Sequence, residues 1–427
     1  MRVSFYTLGC KVNLYETEVV MNNFKKSGYS IVEFNEVSDI IVINTCTVTN
    51  MSDRKSRNII RHAIKNNPNC MVVVMGCYSQ VKQDEVNKID GVDIIIGNTN
   101  KSRIIEIVEK YIKNKQKINL VEEIKKVDFE DMYLDSFETK TRAFIKIQDG
   151  CNNYCSYCII PYARGDIRSK EKEKALEEAN ILVNNGYKEI VLAGIHTGHY
   201  GKDNYNYDIS DLLNDLCNLD KLKRIRISSI EITELDDKFM KILTNNKIVN
   251  HLHIPLQSGC NKILKEMNRK YNTDYFYNKI NEIRSIKSDI SITTDVIVGF
   301  PNETEEDFIE TYNFIKKLSF SKIHVFPFSK RDGTKAALMS NQVNEDIKKE
   351  RVRKLLELSK ELEIKYMNNF INKELEVLVE GYKDNIIEGH STNYLLVKSD
   401  GNNDNINNIV KIKIDKFEYP NLYGSKI

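Results

Sequence analysis

Short apolar runs alternate with helical patterns along most of this chain of 427 residues. The candidate strands of the first hundred residues are Val3–Thr7, Ile40–Asn44, Met71–Gly76 and Asp93–Gly97. Helical patterns such as Glu16–Ser27 and Arg54–Asn66 lie between them. Strands that alternate with helices predict a parallel sheet covered by helices. We therefore expect an N-terminal parallel α/β domain over residues 1–120.

A second strand–helix series begins near Thr141, after a charged stretch, Glu122–Lys140, that we interpret as a linker. Helices such as Glu171–Asn185 and Thr304–Lys317 fit between its strands. Its candidate strands are Ala143–Gln148, Glu189–Ala193, Arg224–Ser228, His251–Pro255, Ser291–Val298 and Lys322–Pro327. Six such units predict a partial βα barrel over residues 137–366, with functional residues at the carboxyl ends of the strands.

The last part of the chain has a different pattern. A long amphipathic helix is predicted over Glu345–Asn369, and short alternating runs such as Ile409–Ile414 follow between Gly- and Asn-rich turns. This pattern is typical of a small β-barrel, here expected over residues 367–427. The fold class is therefore α/β, with a parallel sheet domain, a partial barrel and a small β-barrel.

Bulk composition constrains the function only broadly. The formal net charge of +2 gives no basic footprint, so any nucleic-acid partner has to be argued from other features. No apolar run is long enough to span a bilayer, and the N-terminus lacks a signal-peptide pattern. We expect a cytoplasmic protein with no membrane partner. Nine cysteines in a reducing compartment indicate metal ligands or catalytic groups more than disulfides.

Three of these cysteines fall within eight residues, directly after the first predicted barrel strand. We call Cys151, Cys155 and Cys158 the barrel triad. Thiolates at this spacing can converge on one iron–sulfur cube, and three ligands leave one iron open for reaction. The alternative is a zinc knuckle that takes a fourth ligand from elsewhere. Zinc sites usually pair two C-x-x-C hooks, and the sequence has no second hook.

Three other cysteines are far apart in sequence but share a local context. Cys10, Cys46 and Cys77, the sheet triad, each follow the carboxyl end of a predicted parallel strand. These ends meet at the edge of the sheet where ligands bind, so the thiols can come together. The alternative is three buried free cysteines. The remaining thiols, Cys70, Cys217 and Cys260, lack this placement, and we interpret them as ordinary core or surface residues.

The spacing of the barrel triad resembles the signature of the radical S-adenosylmethionine superfamily. That resemblance implies a 4Fe–4S cluster whose open iron is chelated by S-adenosylmethionine. The turn Ala193–Gly198 and the polar strand ends Arg226–Glu231 and His251–Gly259 fit the same superfamily. The residues that the resemblance implies for cofactor binding are Tyr157, Gly194, Ser229, Glu231 and Gln257. His196, His251 and His253 have the alternative of being structural histidines.

The contexts Thr7–Asn13, Asn44–Thr49 and Met75–Cys77 resemble the N-terminal domain of the tRNA methylthiotransferases. In that family the sheet triad would hold a second, auxiliary 4Fe–4S cluster. Leu375–Ile427 resembles the TRAM domain, an RNA-binding β-barrel, although its acidic residues outnumber its lysines. The alternative for this segment is a purely structural module.

The combined resemblance implies a radical enzyme that adds a methylthio group to C2 of a tRNA adenosine next to the anticodon. Its partners would be the anticodon stem-loop, S-adenosylmethionine and an electron donor such as flavodoxin or ferredoxin. Three branches are open: threonylcarbamoyladenosine, isopentenyladenosine and ribosomal-protein enzymes. Gly9–Asn13, Asn44–Asn50, Asp53–Arg57 and Pro161–Gly165 favour the first branch. A non-catalytic zinc- and RNA-binding module is the alternative from another class.

The substrate side chain offers a partial chemical reason for the first branch. A threonylcarbamoyl group carries a carboxylate and a hydroxyl, which call for cationic and hydrogen-bonding partners. Arginines and lysines near the cysteine loops could supply them. For Arg54, Lys55 and Arg57 the alternative is solvated surface charge.

Overall fold

The computed structural model describes residues 1–137, 141–203 and 205–427. Its N-terminal strands are β1 (Arg2–Thr7), β2 (Ser30–Val32), β3 (Ile40–Thr45), β4 (Met71–Gly76), β5 (Ile94–Ile96) and β6 (Ile118–Leu120). Its N-terminal helices are α1 (Lys11–Lys26), α2 (Asn50–Asn66), α3 (Cys77–Val81), α4 (Gln83–Asn87) and α5 (Ile104–Asn114). The strands form one sheet in the order β2-β1-β3-β4-β5-β6, and every pair is parallel. The predicted parallel α/β architecture is confirmed.

Both faces of this sheet are buried because the central strands are apolar throughout. Ile41 and Ile43 of β3 pack with Ile60 of α2 in one core. Ile40 and Val42, which point to the opposite face, belong to a larger core that continues into the rest of the molecule. The near-continuous apolar runs of β3 and β4 follow from this two-sided burial.

The segment interpreted as a linker packs closely against the fold. Residues 121–137 contain no helix or strand, yet Met132, Leu134 and Phe137 belong to the large core. The carbonyl oxygen of Met132 accepts hydrogen bonds from Tyr15 Oη at 2.7 Å and Lys170 Nζ at 2.9 Å. The linker interpretation is therefore wrong for 122–137: this part is a packed strap. Residues 138–140 of the predicted linker lie outside the described residues.

Among its described residues, the second region contains eight strands. They are β7 (Arg142–Lys146), β8 (Gln148–Asp149), β9 (Arg168–Ser169), β10 (Glu189–Ala193), β11 (Arg224–Ile227), β12 (His251–His253), β13 (Ser291–Val298) and β14 (Lys322–Pro327). Two parallel three-stranded sheets have the orders β7-β10-β11 and β12-β13-β14. A parallel bridge between Ile225 and Ile248 brings the two sheets together. The six larger strands are those predicted for a partial barrel.

Helices connect and cover these strands. They are α6 (Ile160–Arg164), α7 (Lys172–Asn184), α8 (Ile209–Cys217), α9 (Asp237–Leu243), α10 (Asn261–Glu266), α11 (Thr273–Ile286), α12 (Glu305–Leu318), α13 (Lys335–Leu338) and α14 (Glu345–Asn368). The apolar core runs without a break from the N-terminal sheet into the barrel. The division at residues 120, 137 and 366 remains a prediction.

The C-terminal strands close into a small barrel. They are β15 (Glu374–Lys383), β16 (Ile386–Ser391), β17 (Leu396–Asp400), β18 (Ile409–Glu418) and β19 (Asn421–Lys426). Arg142 and Arg224, the first residues of β7 and β11, bond to this barrel. The C-terminal barrel therefore closes the large barrel at the amino ends of its strands, opposite the cysteine loops.

Two helices begin earlier than the sequence pattern predicts. α1 starts at Lys11 and α2 at Asn50. The first turn of α2 is mostly polar, and Val12 and Leu14 in the first turn of α1 alternate with polar residues, so neither turn shows a helical apolar period. Thr49 caps α2 by accepting a hydrogen bond from the Ser52 amide. The cysteine loops are correspondingly short. None of the helices in the described ranges has the length and apolar character needed to traverse a bilayer.

Candidate iron–sulfur and cofactor site

The sheet triad lies at the carboxyl edge of the parallel sheet. Cys10 is the residue before α1, Cys46 follows β3, and Cys77 is the first residue of α3. Gly9 approaches Cys46 so closely that a β-carbon built on it would lie 3.3 Å from the Cys46 sulfur. Burial raises the pKa of the Cys46 thiol to about 11. Metal binding at such thiols must therefore release protons.

Arg164 connects the sheet triad to the barrel. It ends α6, just after the barrel triad, and its Nε donates to Cys77 Sγ at 3.2 Å. Asn98 Nδ2 approaches the same sulfur at 3.5 Å. Nitrogen donors of this kind stabilise thiolate ligands and tune an iron–sulfur cluster.

A fully buried ion network surrounds Arg164. Its members are Glu16, Lys101, Lys146, Asp149, Arg164 and Arg168. Arg164 Nη1 lies 2.6 Å from Glu16 and 3.1 Å from Asp149. Burial opposes ionisation of Asp149, but Arg164 and the neighbouring cations outweigh it and hold its pKa well below the usual range. Four cations face two carboxylates, and this surplus suits the negative charge of thiolates beside Cys77.

The barrel triad occupies a loop fixed from both sides. The Cys151 amide donates to Gly165 O at 3.0 Å, and the Ser156 amide donates to Met267 O at 3.1 Å. Gly150 has a φ of +73°, and a β-carbon there would overlap the carbonyl of Asp166. Glycine is therefore required directly before Cys151. The loop follows β7 and β8 at the carboxyl end of the barrel.

Two cationic or titratable side chains contact the sulfurs of the barrel triad. Arg269 Nη1 lies 3.3 Å from Cys155 Sγ, and His196 Nδ1 lies 3.6 Å from Cys151 Sγ. Burial, and then the nearby Cys155 thiol, raise the pKa of Cys158 to about 12. The loop therefore combines buried thiols with nitrogen donors, as the sheet triad does.

The spacing of both triads is too open for a single zinc ion. Within the described ranges, two groups of three candidate ligands have all their donor atoms within 4.8 Å, and neither contains a member of either triad. Tetrahedral zinc with bonds of about 2.3 Å would hold its sulfurs about 3.8 Å apart. Thiols around an iron–sulfur cube lie farther apart, since each binds a different iron. The donor set thus fits cubes better than zinc.

One of those close groups adjoins the barrel triad. His196 and His199 stack with ring centroids 3.6 Å apart, and both approach the carboxylate of Glu234. Burial lowers the pKa of His196, but Cys151 and Glu234 outweigh it and raise it to about 10. Burial and the charge of His196 lower the pKa of His199 to about 4. His196 is therefore held between Cys151 and Glu234.

A cavity of about 200 Å³ adjoins the barrel triad and brings together two of the residues implied for cofactor binding. Tyr157 and Gln257 both line it, together with Cys158 and with Thr49 from the N-terminal domain. Glu231 pairs with Arg269. Through that arginine it is connected to Cys155.

Gly194 and Ser229 occupy the ends of neighbouring strands. Gly194 follows β10, and a β-carbon there would lie 3.0 Å from Gln148 Oε1. Ser229 follows β11 and is half-buried. The structure therefore places all five implied residues at the carboxyl end of the barrel, two of them in one cavity.

The cations considered for the substrate carboxylate are differently placed. Arg54 and Lys55 are exposed on α2, and Arg57 bonds to Tyr78 and Glu85. Arg164 is already paired with the carboxylates of the buried ion network. Arg54 and Lys55 are therefore surface charges, and Arg57 and Arg164 are paired within the protein.

A second set of cations lies in the lumen of the large barrel: Lys11, Arg142, Arg224 and Arg226, here called the lumen cations. Burial and then the charges of Arg226 and Arg142 lower the pKa of Lys11 to about 8. Arg226 is 2 % exposed, and its Nε donates to Glu189 at 2.7 Å.

Comparison with known proteins places this site in a family. The profile of the radical SAM superfamily matches residues 145–315, and that of the uncharacterized protein family UPF0004 matches residues 2–97. The chain is 47% identical to threonylcarbamoyladenosine tRNA methylthiotransferase MtaB of Bacillus subtilis, over 98% of this chain and 94% of that protein. The chain belongs to the tRNA methylthiotransferases. It is a transferase of the radical S-adenosylmethionine type.

Other methylthiotransferases are also similar to this one. The MtaB protein of Aquifex aeolicus is 41% identical over 94% of this chain and 97% of that protein. The tRNA-2-methylthio-N(6)-dimethylallyladenosine synthase of Staphylococcus haemolyticus is 34% identical over 98% and 84%. Among solved structures, the radical S-adenosylmethionine methyltransferase TsrM from Kitasatospora setae has a TM-score of 0.56 at 13% identity, covering 76% of this chain and 74% of that one. That likeness concerns the fold.

Sequence reasoning missed several residues of this methylthiotransferase site. Arg269, Glu16 and Lys146 were not singled out, although each contacts a triad or the ion network. A signal for Glu16 was available, because it lies three residues after Asn13 on the buried side of α1. Lys146 interrupts the apolar strand Ala143–Ile145 with a charge.

Proposed function

We propose that this methylthiotransferase acts on N6-threonylcarbamoyladenosine next to the tRNA anticodon. The support is the higher identity to proteins of that name, 47% and 41%, than to a dimethylallyladenosine synthase, 34%. The pattern of residues around Cys10, Cys46 and Arg164 agrees with this branch.

The two triads are the proposed ligands of two 4Fe–4S clusters. When bound, the barrel cluster would supply one-electron cleavage of S-adenosylmethionine for hydrogen abstraction from adenine C2, and the sheet cluster would hold the sulfur that a second S-adenosylmethionine methylates. Tyr157, Gly194, Ser229, Glu231 and Gln257 are the proposed cofactor contacts.

The chain's own residues position these groups and protect them from water. Arg164 and Arg269 donate to Cys77 and Cys155 and so fix the orientation of one thiol in each triad. The C-terminal barrel closes the lumen at its far end, where Tyr394 packs over His251. A reacting base held between the triads would therefore be oriented by rigid elements and shielded from solvent.

The C-terminal barrel is the proposed TRAM-like RNA module, and the anticodon stem-loop is the proposed RNA partner. Small barrels of this kind commonly present a surface that follows a nucleic-acid backbone. A low-potential one-electron donor such as flavodoxin or ferredoxin is also required, and the cytoplasm is the proposed location.

Nucleoside mass spectrometry tests the substrate. Expression of this gene in cells that lack all tRNA methylthiolation should yield methylthio-threonylcarbamoyladenosine. The appearance of methylthio-isopentenyladenosine in its place would contradict the proposal.

Iron analysis tests the ligand assignment. Purified and reconstituted protein should bind about eight irons per chain, as two cubes require. Changing all three residues of the barrel triad to Ala should leave about four irons and abolish formation of 5′-deoxyadenosine. The same change in the sheet triad should leave about four irons and stop methylthiolation. The control is Cys70→Ala, which should keep all eight.

A further inference from the structure

The lumen of the large barrel contains more buried positive charge than the protein neutralises. The lumen cations are four, and the carboxylates that pair with them in the described chain are Glu189 and Glu380. Arg142 pairs with Glu380 at 3.2 Å. Buried charge without a partner is costly, so this surplus calls for an anion.

Arg226 is the least satisfied of these cations. Its Nε bonds to Glu189, but both terminal nitrogens, Nη1 and Nη2, are buried without a hydrogen-bond partner. The guanidinium lies 4.6 Å from the ring centroid of Tyr394, which supports it from the side of the C-terminal barrel. Two free nitrogens on one edge of a guanidinium are the geometry that binds a carboxylate with two parallel hydrogen bonds.

Lys11 connects the lumen cations to the sheet triad. It follows Cys10 directly, begins α1 and is half-buried. The charges of Arg226 and Arg142 act on its ammonium, as does the opposite charge of Glu189. An anionic group between Lys11 and Arg226 would thus be attached to a base that reaches the cysteines.

We propose that Arg226 and Lys11 bind the carboxylate of the threonylcarbamoyl group and so determine the substrate. This inference rests on the proposed function. A backbone phosphate is a poorer candidate, because Arg226 is 2 % exposed and lies deep in the lumen. A substituent that ends in a carboxylate would supply the missing partner of Arg226, whereas an isopentenyl group would leave its terminal nitrogens unpaired.

Two synthetic anticodon stem-loops test the proposal. One carries N6-threonylcarbamoyladenosine and the other carries the same nucleoside with its carboxylate converted to a carboxamide. Binding to the reconstituted holoenzyme, without reductant, is measured by fluorescence anisotropy. The wild type should bind the carboxylate RNA about 10- to 100-fold more tightly, the range expected for hydrogen bonds to a charged group.

The variants should change that ratio selectively. Arg226→Gln should bring the two affinities within about twofold, Lys11→Gln should reduce the ratio about tenfold, and Arg226→Lys should restore part of it. The control Lys55→Gln removes an exposed charge and should leave the ratio unchanged. If thermal unfolding shows that Arg226→Gln is misfolded, Lys11→Gln decides the test.

The outcomes separate this inference from the proposed function. Methylthiolation of the carboxylate RNA by the wild type, together with an unchanged ratio in Arg226→Gln and Lys11→Gln, would overturn the inference alone. An equal loss of affinity for both RNAs in these variants would also overturn the inference, since the cations would then bind a part that the two RNAs share. A wild type that methylthiolates neither RNA but modifies an isopentenyladenosine stem-loop would overturn both.

Discussion

Arg164 is a guanidinium with no solvent exposure that contacts both halves of the molecule. Besides Cys77 and the two carboxylates, its Nη2 donates to Asn13 Oδ1 at 2.5 Å. These partners come from α1, α3 and β8, so one side chain satisfies buried polar atoms in separate parts of the chain. Removing it would leave Glu16, Asp149 and Asn13 buried without the guanidinium that bonds to all three.

The expected effect of Arg164→Gln is therefore a large loss of stability. The free energy of unfolding of the metal-free protein should fall by about 3–5 kcal/mol, the usual cost of breaking a buried pair. Urea unfolding measures this. The exposed Arg54→Gln is the matched control, with a change within about 0.5 kcal/mol. A small effect of Arg164→Gln would show that the other cations neutralise Glu16 and Asp149 unaided.

The buried side chain of His251 leads us to expect that the free energy of unfolding falls in acid. Burial, and then the charge of Arg226, hold the pKa of this imidazole well below its usual range. Below about pH 6.5 the unfolded chain gains a proton on His251 that the folded chain does not, so stability present above that pH is lost as the pH falls. For one proton, the free energy of unfolding cannot change by more than about 1.4 kcal/mol per pH unit.

The measurement compares wild type with His251→Gln between pH 5.5 and 8 by urea unfolding. The wild type should lose more stability than the variant on the acid side. His62→Gln, at an exposed histidine on α2, serves as the control. Parallel pH profiles for wild type and His251→Gln would rule out this histidine as the source of acid sensitivity.

At the scale of elements, the turn before the barrel triad depends on Gly150. Alanine at this position would combine a positive φ with overlap against the Asp166 carbonyl. Gly28 also has a positive φ, +84°, but has open space around it. Gly150→Ala should therefore cost about 1–3 kcal/mol more than Gly28→Ala, the usual cost of overpacking.

Iron binding provides a second measurement of the same pair. Gly150→Ala should also lose iron from the barrel triad, whereas Gly28→Ala should keep the wild-type amount. Full iron content in Gly150→Ala, with unchanged stability, would mean that the loop shifts without consequence.

The elements were largely predictable from sequence, but their first turns and their pairing were not. β3 and β4 are marked by apolar runs that the local sequence pattern reveals, and β13 ends in one, Val296–Val298. The starts of α1 and α2 were not predicted because their first turns lack the apolar period of a helix. The pairing of Glu16 with Arg164 joins residues 148 positions apart, a contact that no local pattern contains.

At the scale of the molecule, Arg331 fastens the N-terminal domain to the barrel. It follows β14, and its Nη1 pairs with Asp53 at 2.8 Å while its Nη2 donates to Thr47 Oγ1 at 2.7 Å. Arg331→Met should loosen the first turn of α2, because Asp53 would lose its buried partner. The order and cofactor classes of the three regions were predictable, whereas this docking contact was not.

Hydrogen–deuterium exchange measures the loosening. Amides in the first turn of α2 should exchange faster in Arg331→Met, while those of the C-terminal barrel should not change. Arg353→Met, on the exposed side of α14, is the control. Uniformly faster exchange throughout the chain would indicate global destabilisation in place of local undocking.

The buried ion network also limits how such enzymes can be recombined. Consider a chimaera that takes its first 120 residues from one relative and its barrel from another. Glu16 and Lys101 would then come from one protein, and their partners at positions 146 and 164 would come from the other. Because these side chains are buried, water could not stabilise a charge that the exchange had left without a partner of opposite sign. Successful exchange should require the network to be transplanted as a unit, although each half resembles a separate module.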